Sequence, residues 1–181
     1  MLSMSACMTA SAQTAFDTTA KINALISKLT LEEKVNMIHA SSSFTSGGVP
    51  RLGIPEIVTS DGPHGVRPEH GRDWNLDNNI PDSSTYLPTG VCLAATWNPQ
   101  LGYAFGSVLG SEAAYRGKNV ILGPGINIIR TALNGRNFEY QSEDPYIVSR
   151  MAVGYIKGVQ DQGVSACVKH FVANNQEIKR H

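Results

Sequence analysis

The feature that most constrains the fold is an alternation of short apolar runs with amphipathic helical segments in the second half of the chain. NVILGPG at residues 119–125 and VSACVKHF at residues 164–171 are two such runs, rich in β-branched residues. Between them, residues 145–160 carry apolar side chains at helical spacing. Apolar strands that alternate with helices are typical of a parallel sheet covered on both faces. The sequence therefore predicts an α/β protein.

Local capping signals set the ends of the predicted helices. Asn98 followed by Pro99 begins one helix, which Gly117 ends. Asp144 and Gly163 bound the next helix in the same way. The apolar residues expected on the buried faces of these two helices are Leu101, Phe105, Val108 and Leu109 in the first, and Ile147, Met151, Tyr155 and Val159 in the second.

The first half of the chain carries weaker signals of the same kind. TLEE at residues 30–33 is a capping box and predicts the start of a helix. Residues 56–60 predict a short strand that DGPHG breaks at once, and the apolar run at residues 91–95 is interpreted as a further strand. The irregular stretch at residues 67–89 is long enough to suggest a functional loop.

Polar side chains follow the predicted strands at the points where they end. Asp61 and Arg67 follow the first strand, residues 127–136 follow the NVIL run, and Lys169 with His170 ends the last run. The carboxyl ends of parallel strands meet at one edge of a sheet, where barrels and open sheets build their sites. We therefore expect a functional site at this edge, with Lys169 at the rim of the sheet and not in its core.

Composition excludes several kinds of partner. The chain has 181 residues, a formal net charge of zero and no basic run, which argues against a nucleic-acid groove or an anionic membrane surface. No apolar stretch approaches the roughly 20 residues that a membrane-spanning helix needs. With 41% hydrophobic residues the chain has enough apolar material for a globular core. We expect neither a nucleic-acid nor a membrane partner.

Cofactor motifs are weak in this sequence. GPGINI begins like a dinucleotide fingerprint, but Ile128 stands where the last glycine is needed. His64 and His70 lack the neighbouring ligands of a metal site and are expected to be surface histidines. We expect no cofactor and no metal.

The first residues differ in character from the rest. Residues 1–16 are rich in small side chains and contain Ala-Ser-Ala, so they are interpreted as a leader or a partial secretory signal. They lack a basic start, and a disordered leader is the alternative. The compartment stays open between export to the periplasm or medium and the cytoplasm.

Taken together, five motifs resemble glycoside hydrolase family 3 of the β-glucosidase type. They are SDGPHGVR, LPTGVCLAATWNP, LGPGINIIR, GRNFEYQSEDP and GYIKGVQDQGVSACVKHFVANNQE, and the resemblance runs over residues 29–181. It implies a retaining enzyme that removes terminal non-reducing β-D-glucosyl or β-xylosyl residues. It also implies a TIM-like (β/α)8 barrel, of which residues 17–181 would form the N-terminal part. Because a full barrel takes about 250 residues, we expect only the first half of one here.

The resemblance assigns roles to five side chains. Asp61 would accept hydrogen bonds from sugar hydroxyls, Arg67 would line the same pocket, and Arg136, Lys169 and His170 would bond the other hydroxyls. Charged groups suit this role because each charge-assisted hydrogen bond contributes about 1.5–3 kcal/mol.

Structural roles compete with these assignments. Asp61 could cap its own turn. Arg67 could form a salt bridge within its loop, and Arg136 could pair with Glu139 or Glu143. Lys169 has the weakest structural alternative, because a lysine that ends an apolar strand needs a reason.

The catalytic carboxylates implied by the resemblance are missing. A retaining glycosidase needs a nucleophile and an acid/base. In the β-glucosidase branch the nucleophile lies in an SDW segment, which this sequence lacks, and the acid/base lies later still. Asp73, in RDW, lies in the irregular loop and is interpreted as a ligand or packing contact. We therefore expect a truncated, inactive chain with part of a sugar pocket, and with open strand edges that favour association. Its oligomeric state is not predicted.

Two other functions stay open at this point. Lys169 could form a Schiff base in an aldolase-like site, although its neighbours His170, Asn174 and Asn175 are polar. The chain could also be a carbohydrate-binding barrel fragment without catalysis.

Overall fold

The computed structural model describes residues 18–67 and 83–180. The expected leader at residues 1–16 and the RDW segment at residues 72–74 lie outside these ranges. The chain divides into two compact units, Met1–Ser41 with Ser46–Glu56, and Ser42–Thr45 with Ile57–His181.

The first unit is helical in its described part. Helix α1 covers residues 18–26 and α2 covers Leu31–Met37, followed by a 3₁₀ turn at Pro50–Leu52. The predicted capping box at the start of α2 is confirmed, since the Thr30 hydroxyl accepts from the Glu33 amide and the Glu33 carboxylate accepts from the Thr30 amide.

The second unit is built on a parallel sheet. Its strands are β1 (Thr59–Asp61), β2 (Val120–Leu122) and β3 (Ser165–Ala166), in that spatial order. Both pairings are parallel, and Ser60, Ile121 and Ala166 lie side by side in the register. Its helices are α3 (Gly90–Ala94), α4 (Pro99–Tyr115) and α5 (Pro145–Gln160), with a 3₁₀ turn at Asn137–Glu139. The α/β prediction is confirmed.

Helices α4 and α5 begin where their capping residues predict. Asn98 accepts from the Gln100 amide and Asp144 accepts from the Tyr146 amide, each with a proline in the first turn. The two helices approach closely because α4 places glycine against α5. A Cβ on Gly106 would lie only 2.1 Å from the Tyr155 carbonyl oxygen.

The expected buried face of α4 is partly wrong. Phe105 and Leu109 are buried, but Leu101 and Val108 are 46% and 47% exposed. The buried face combines Phe105 and Leu109 with the small residues Gly102, Gly106, Gly110 and Ala113. Two helices can approach closely only where small side chains lie between them. The spacing of apolar residues does not show which surface of α4 contacts α5.

The core lies between α4, α5 and the sheet. On α5 the expected residues Met151, Tyr155 and Val159 are buried, and they pack with Ile121 of β2 and other apolar side chains. The Tyr155 hydroxyl donates to the Pro63 carbonyl over 3.0 Å, which ties α5 to the segment that follows β1. Burial raises the pKa of Tyr155, so this hydroxyl keeps its proton.

The strand expected at residues 91–95 is wrong, because Gly90–Ala94 forms the short helix α3. The Thr89 hydroxyl accepts from the Cys92 amide and so caps this helix. Leu93 and Ala94 are buried, while Val91 is 40% exposed. A short apolar run does not distinguish a strand from a buried helical turn by periodicity, and here the capping residue decides.

The remaining strands are shorter than the apolar runs that predicted them. Of the NVILGPG and VSACVKHF runs, Val120–Leu122 and Ser165–Ala166 are the parts that pair continuously, although an isolated bridge between Gly125 and Lys169 continues the alignment towards the carboxyl edge. Among the described residues, no helix is long and apolar enough to cross a membrane.

Candidate functional site

The carboxyl edge of the sheet gathers charged side chains from three segments. Asp61 is the last residue of β1, Lys169 follows β3, and Arg136 and Glu139 lie in the connection from β2 to α5. The parallel register brings these segments together, as expected for the carboxyl ends of parallel strands.

Lys169 lies at the centre of the cluster. Its Nζ is 2.7 Å from Asp61 Oδ1 and 3.3 Å from Glu139 Oε2. The Lys169 side chain is 11% exposed and that of Glu139 is 4% exposed. A nearly buried ammonium needs carboxylate partners, and two are within reach. This explains why a lysine ends an apolar strand.

Glu139 joins Lys169 to Arg136. Its second oxygen, Oε1, accepts a charge-assisted hydrogen bond from Arg136 Nε. Burial alone would lower the pKa of Arg136, but the hydrogen bond to Glu139, together with the charges of Glu139 and Glu177, outweighs it, and the pKa lies above its usual value. The ion pair with Glu139, which was the structural alternative to a sugar-binding role for Arg136, is therefore present. The same guanidinium also forms a hydrogen bond with His170.

The hydrogen bonds of His170 define its protonation. Arg136 Nη2 lies 2.9 Å from His170 Nε2, and the Tyr140 hydroxyl lies 2.7 Å from Nδ1. Arginine can only donate, so Nε2 accepts, and in the neutral ring Nδ1 carries the proton and donates to Tyr140. Asn174 Nδ2 also donates to the Tyr140 oxygen, over 2.7 Å. The Tyr140 proton is thus left to donate elsewhere.

His170 stays neutral near pH 7. Burial lowers its pKa, and the nearby charges of Arg136 and Lys169 lower it further, against the opposing effect of Glu139 and Asp61. Its backbone is fixed by Asn127, whose amide donates to the His170 carbonyl and accepts from the His170 N–H, over 3.3 and 2.9 Å. The ring is therefore held at both its nitrogens and its backbone.

Asp61 is the accessible carboxylate of the cluster, with its side chain 32% exposed. Burial would raise its pKa, but the hydrogen bond and charge of Lys169, the Gly62 amide and the charge of Arg67 lower it below the usual range. Asp61 Oδ1 accepts from the Gly62 amide over 3.0 Å, so the turn-capping role is also present. The exposed remainder of the carboxylate can still accept from a ligand.

Arg67 lies at the margin of the described part of the chain. Its charge acts on Asp61, and its Cγ would lie 3.7 Å from a Cβ added to Gly62, the residue after Asp61. Of the five predicted site residues, Asp61, Arg136, Lys169 and His170 lie in one bonded network, and Arg67 borders it.

His64 differs from the expected surface histidine. Its ring contacts the rings of Tyr86 and Phe138 edge to face, with centroids 5.2 and 5.5 Å apart. Its Nδ1 is buried without a hydrogen-bond partner among the described residues. Burial lowers the pKa of His64, so the ring is neutral. The charges of Glu139 and Lys169 also act on its pKa, so the ring lies near the cluster.

Sequence reasoning missed the residues that connect the predicted ones. Glu139, Tyr140 and Asn174 were not assigned to the site. Their closeness in sequence to predicted site residues could have indicated them. Glu139 and Tyr140 follow Arg136 in GRNFEY, and Asn174 follows Lys169 and His170 in KHFVANN. The two cations of the site need a carboxylate partner because buried charges are stable only when they are paired, and Glu139 is that partner.

The arrangement suits a neutral, hydroxylated ligand. Asp61 offers an acceptor, and Lys169 and Arg136 offer N–H donors that their carboxylate partners hold in place. Because the cationic and anionic groups alternate, the cluster balances its own charge and does not require a charged ligand.

Comparison with known proteins places this α/β domain in the glycoside hydrolase class. Residues 19–180 match the N-terminal domain of glycosyl hydrolase family 3, and the chain belongs to this family.

Relatives with assigned activities support the same conclusion. A β-glucosidase of Bacteroides ovatus is 53% identical over 161 residues, which cover 88% of this chain and 22% of that protein. An exo-α-(1→6)-L-arabinopyranosidase of Bifidobacterium longum is 41% identical over 86% of this chain and 21% of its own length. The structure of β-glucosidase 3B from Thermotoga neapolitana in complex with glucose is 41% identical, with a TM-score of 0.77 over 88% of this chain and 24% of that one. The chain thus spans about a fifth to a quarter of these proteins.

Proposed function

We propose that this chain provides one part of the sugar pocket of a retaining glycoside hydrolase that acts on terminal non-reducing β-D-glucosyl or β-xylosyl residues. The observation that carries the proposal is the Asp61–Lys169–Glu139–Arg136 network at the carboxyl edge of the sheet. Asp61, Arg67, Arg136, Lys169 and His170 are the proposed sugar-binding residues.

The fixed geometry of the network favours recognition of hydroxyl stereochemistry. Glu139 fixes Lys169 and Arg136, and Tyr140 with Asn127 fixes His170. The hydroxyl of a wrong epimer lies out of reach of a donor that is held in place. The hydrogen bond between them is then lost, which costs about 1–3 kcal/mol. Such a site discriminates strongly between epimers.

Bond cleavage requires groups that we do not assign to this chain. A retaining mechanism needs two carboxylates about 5–5.5 Å apart on either side of the glycosidic bond. Asp61 and Glu139 are both bound to Lys169, so neither is a free nucleophile. The SDW motif implied by the family resemblance is absent from the sequence. We therefore propose that these 181 residues, in the first half of a TIM-like barrel, bind sugar without hydrolysing it.

The Schiff-base alternative fits the site poorly. A lysine that attacks a carbonyl needs a free amine in apolar surroundings. The Lys169 nitrogen instead contacts two carboxylates. A non-catalytic carbohydrate-binding role remains compatible with the network, because binding and catalysis share these contacts.

The test measures binding and turnover separately on the 181-residue chain. Ligand-observed NMR should detect weak binding of methyl β-D-glucopyranoside, while p-nitrophenyl β-D-glucopyranoside should release no p-nitrophenol. Lys169→Met should weaken binding by about tenfold or more, because it removes a charge-assisted donor. Lys157→Met, at an exposed position in the last turn of α5, is the matched control.

Two results would contradict the proposal. One is equal sugar binding by the Lys169→Met and Lys157→Met variants. The other is turnover by the 181-residue chain that is lost on changing Asp61 or Asp73 to Asn. Repeating the titration with β-xylosides and α-L-arabinopyranosides would define the sugar, since relatives include enzymes of both β-glucosidase and arabinopyranosidase type.

A further inference from the structure

The segment that follows β2 supplies none of the proposed sugar-binding residues, although it contacts the three parts of the chain that supply them. It is GPGIN at residues 123–127, which we call the GPGIN segment. In the sequence it begins like a dinucleotide fingerprint, but Ile128 stands where the last glycine is needed, so the pattern is left without a function. The contacts of the segment indicate a different role.

The GPGIN segment binds both backbone groups of Lys169. The Lys169 amide donates to the Pro124 carbonyl over 3.0 Å, and the Ile126 amide donates to the Lys169 carbonyl over 2.8 Å. These two hydrogen bonds form the bridge between Gly125 and Lys169, which continues the parallel pairing of β2 and β3. The position of Lys169 along the edge of the sheet is therefore set by this segment.

Asn127 binds the next residue, His170, with its side chain. Asn127 Oδ1 accepts from the His170 amide over 2.9 Å, and Nδ2 donates to the His170 carbonyl over 3.3 Å. A carboxamide offers one acceptor and one donor, as a peptide group does, so it replaces a neighbouring strand at this position. The N–H and C=O groups of both Lys169 and His170 are thus bonded to the GPGIN segment.

The glycines of the segment allow the other parts of the site to approach it. A Cβ on Gly125 would lie 2.7 Å from the Glu139 carbonyl oxygen and 3.0 Å from Tyr140 Cδ1. A Cβ on Gly123 would lie 3.1 Å from Pro63 Cα. Approaches this close leave no room for a side chain. The segment therefore packs against the turn after β1 and against the connection from β2 to α5.

We propose that the GPGIN segment is the positioning element of the sugar site, in which Asn127 fixes the backbone of His170 and Gly125 fixes the distance between Lys169 and Glu139. This inference rests on the function proposed for Lys169 and His170. Their side chains reach their partners over distances between 2.7 and 3.3 Å. A displacement of about 1 Å in the backbone would break contacts of this length and misplace both side chains for a sugar.

Matched asparagine variants test the role of Asn127. Asn119 lies just before β2, and its Oδ1 accepts from the Val58 amide over 2.8 Å, so it also bonds the backbone through its side chain. In ligand-observed NMR, Asn127→Ala should lower the affinity of the 181-residue chain for methyl β-D-glucopyranoside about tenfold, because His170 and Lys169 are misplaced. Asn119→Ala loses a bond at the amino end of β2 and should leave the affinity unchanged.

Aspartate variants separate the donor from the acceptor of each carboxamide. Asn119→Asp keeps the oxygen that accepts from Val58 and should bind sugar as the parent does. Asn127→Asp keeps the acceptor for the His170 amide but loses the donor to the His170 carbonyl, so its sugar affinity should fall. Because aspartate preserves the shape of asparagine, this pair decides the affinity test if Asn127→Ala does not fold.

A measurement without sugar distinguishes failure of this inference from failure of the proposed function. In ¹⁵N NMR, the pKa of His170 should rise towards that of an exposed histidine in Asn127→Ala, because the ring is held less firmly in its buried place beside Arg136 and Lys169. Asn119→Ala should keep the His170 pKa of the parent. A destabilised chain with an intact site would not show this difference.

Gly125→Ala tests the second contact. The added methyl group would meet the Glu139 carbonyl oxygen, so Glu139 should move away from Lys169 and the sugar affinity should fall by about fivefold or more. Gly106→Ala is the control, because its methyl group would meet the Tyr155 carbonyl oxygen between α4 and α5. It should lower the melting temperature without lowering the sugar affinity of the folded chain.

Three results would overturn the proposal. The first is an unchanged His170 pKa in folded Asn127→Ala. The second is an equal loss of sugar affinity in Asn127→Ala and Asn119→Ala, and the third is an equal loss in Gly125→Ala and Gly106→Ala, because general destabilisation would then explain the effects. A parent chain that binds no sugar, together with a raised His170 pKa in Asn127→Ala, would contradict the proposed function and support the positioning role.

Discussion

The Lys169 ammonium lies 2.7 Å from the Asp61 carboxylate, although the two residues are 108 positions apart in the chain. Glu139 contacts the same nitrogen from the connection between them in sequence. Lys169 therefore links the ends of β1 and β3 through one charge, and the sugar site and the local stability of this edge depend on the same side chain.

We predict that Lys169→Met destabilises the chain by about 2 kcal/mol at neutral pH, because it leaves Asp61 and Glu139 as neighbouring carboxylates without their shared cation. Urea unfolding followed by circular dichroism measures the change. Lys157→Met should stay within about 0.5 kcal/mol of the parent. Equal stabilities of the two variants would show that the Lys169 contacts contribute nothing measurable.

Acid should weaken the same ion pair. The folded-state pKa of Asp61 lies below its unfolded value of about 3.9, so its contribution to stability is complete above about pH 4 and is lost as the pH falls through the folded pKa. The stability difference between the parent and Asp61→Asn should therefore shrink as the solution is acidified below about pH 4.

The effect of salt on stability should differ between Asp61 and Glu33, two carboxylates whose pKa values are both lowered. Glu33 has its pKa lowered to about 2, chiefly by its hydrogen bond with Arg51, and this pair is exposed. Roughly 1 M NaCl should reduce the effect of Glu33→Gln more than that of Asp61→Asn, because exposed pairs are screened more strongly. An equal salt sensitivity of the two variants would contradict the buried character of the Asp61 contact.

The tautomer of His170 gives a spectroscopic prediction. ¹⁵N NMR at neutral pH should show Nδ1 protonated and Nε2 unprotonated, because Arg136 can only donate to Nε2. Arg136→Gln should raise the pKa of His170, since it removes a nearby cation and leaves the opposing charge of Glu139 in place. Lys157→Met should leave the His170 titration unchanged. An Nε2-protonated ring in the parent would mean that the network around Tyr140 is misassigned.

Local signals predicted the long helices well, since Asn98, Asp144 and Thr30 each cap the helix that they precede in sequence. Capping depends on contacts within three residues, so a sequence contains all the information needed. Helix α3 was missed because its apolar run is too short for a period to be recognised.

The site was predicted in its outline but not in its connections. Asp61, Lys169 and His170 follow apolar runs, and the parallel sheet aligns the ends of those runs. Glu139 was missed because one of its two partners, Lys169, is distant in sequence, and the other, Arg136, suggested only an ion pair within a loop. Charge balance in a buried cluster becomes visible only once the fold brings its members together.

The close contact between α4 and α5 yields a packing prediction. A Cβ on Gly106 would lie 2.1 Å from the Tyr155 carbonyl oxygen, which is backbone and cannot turn away as a side chain would. Gly106→Ala should therefore cost about 1–3 kcal/mol in urea unfolding, although alanine favours an isolated helix by up to about 1 kcal/mol. Gly135→Ala makes the same chemical change where no atom lies within 4 Å of the added methyl group, and it should stay within about 0.5 kcal/mol of the parent. If Gly106→Ala instead stabilised the chain, helix propensity would outweigh contact at this position, and the two helices would have to lie further apart than the structure places them.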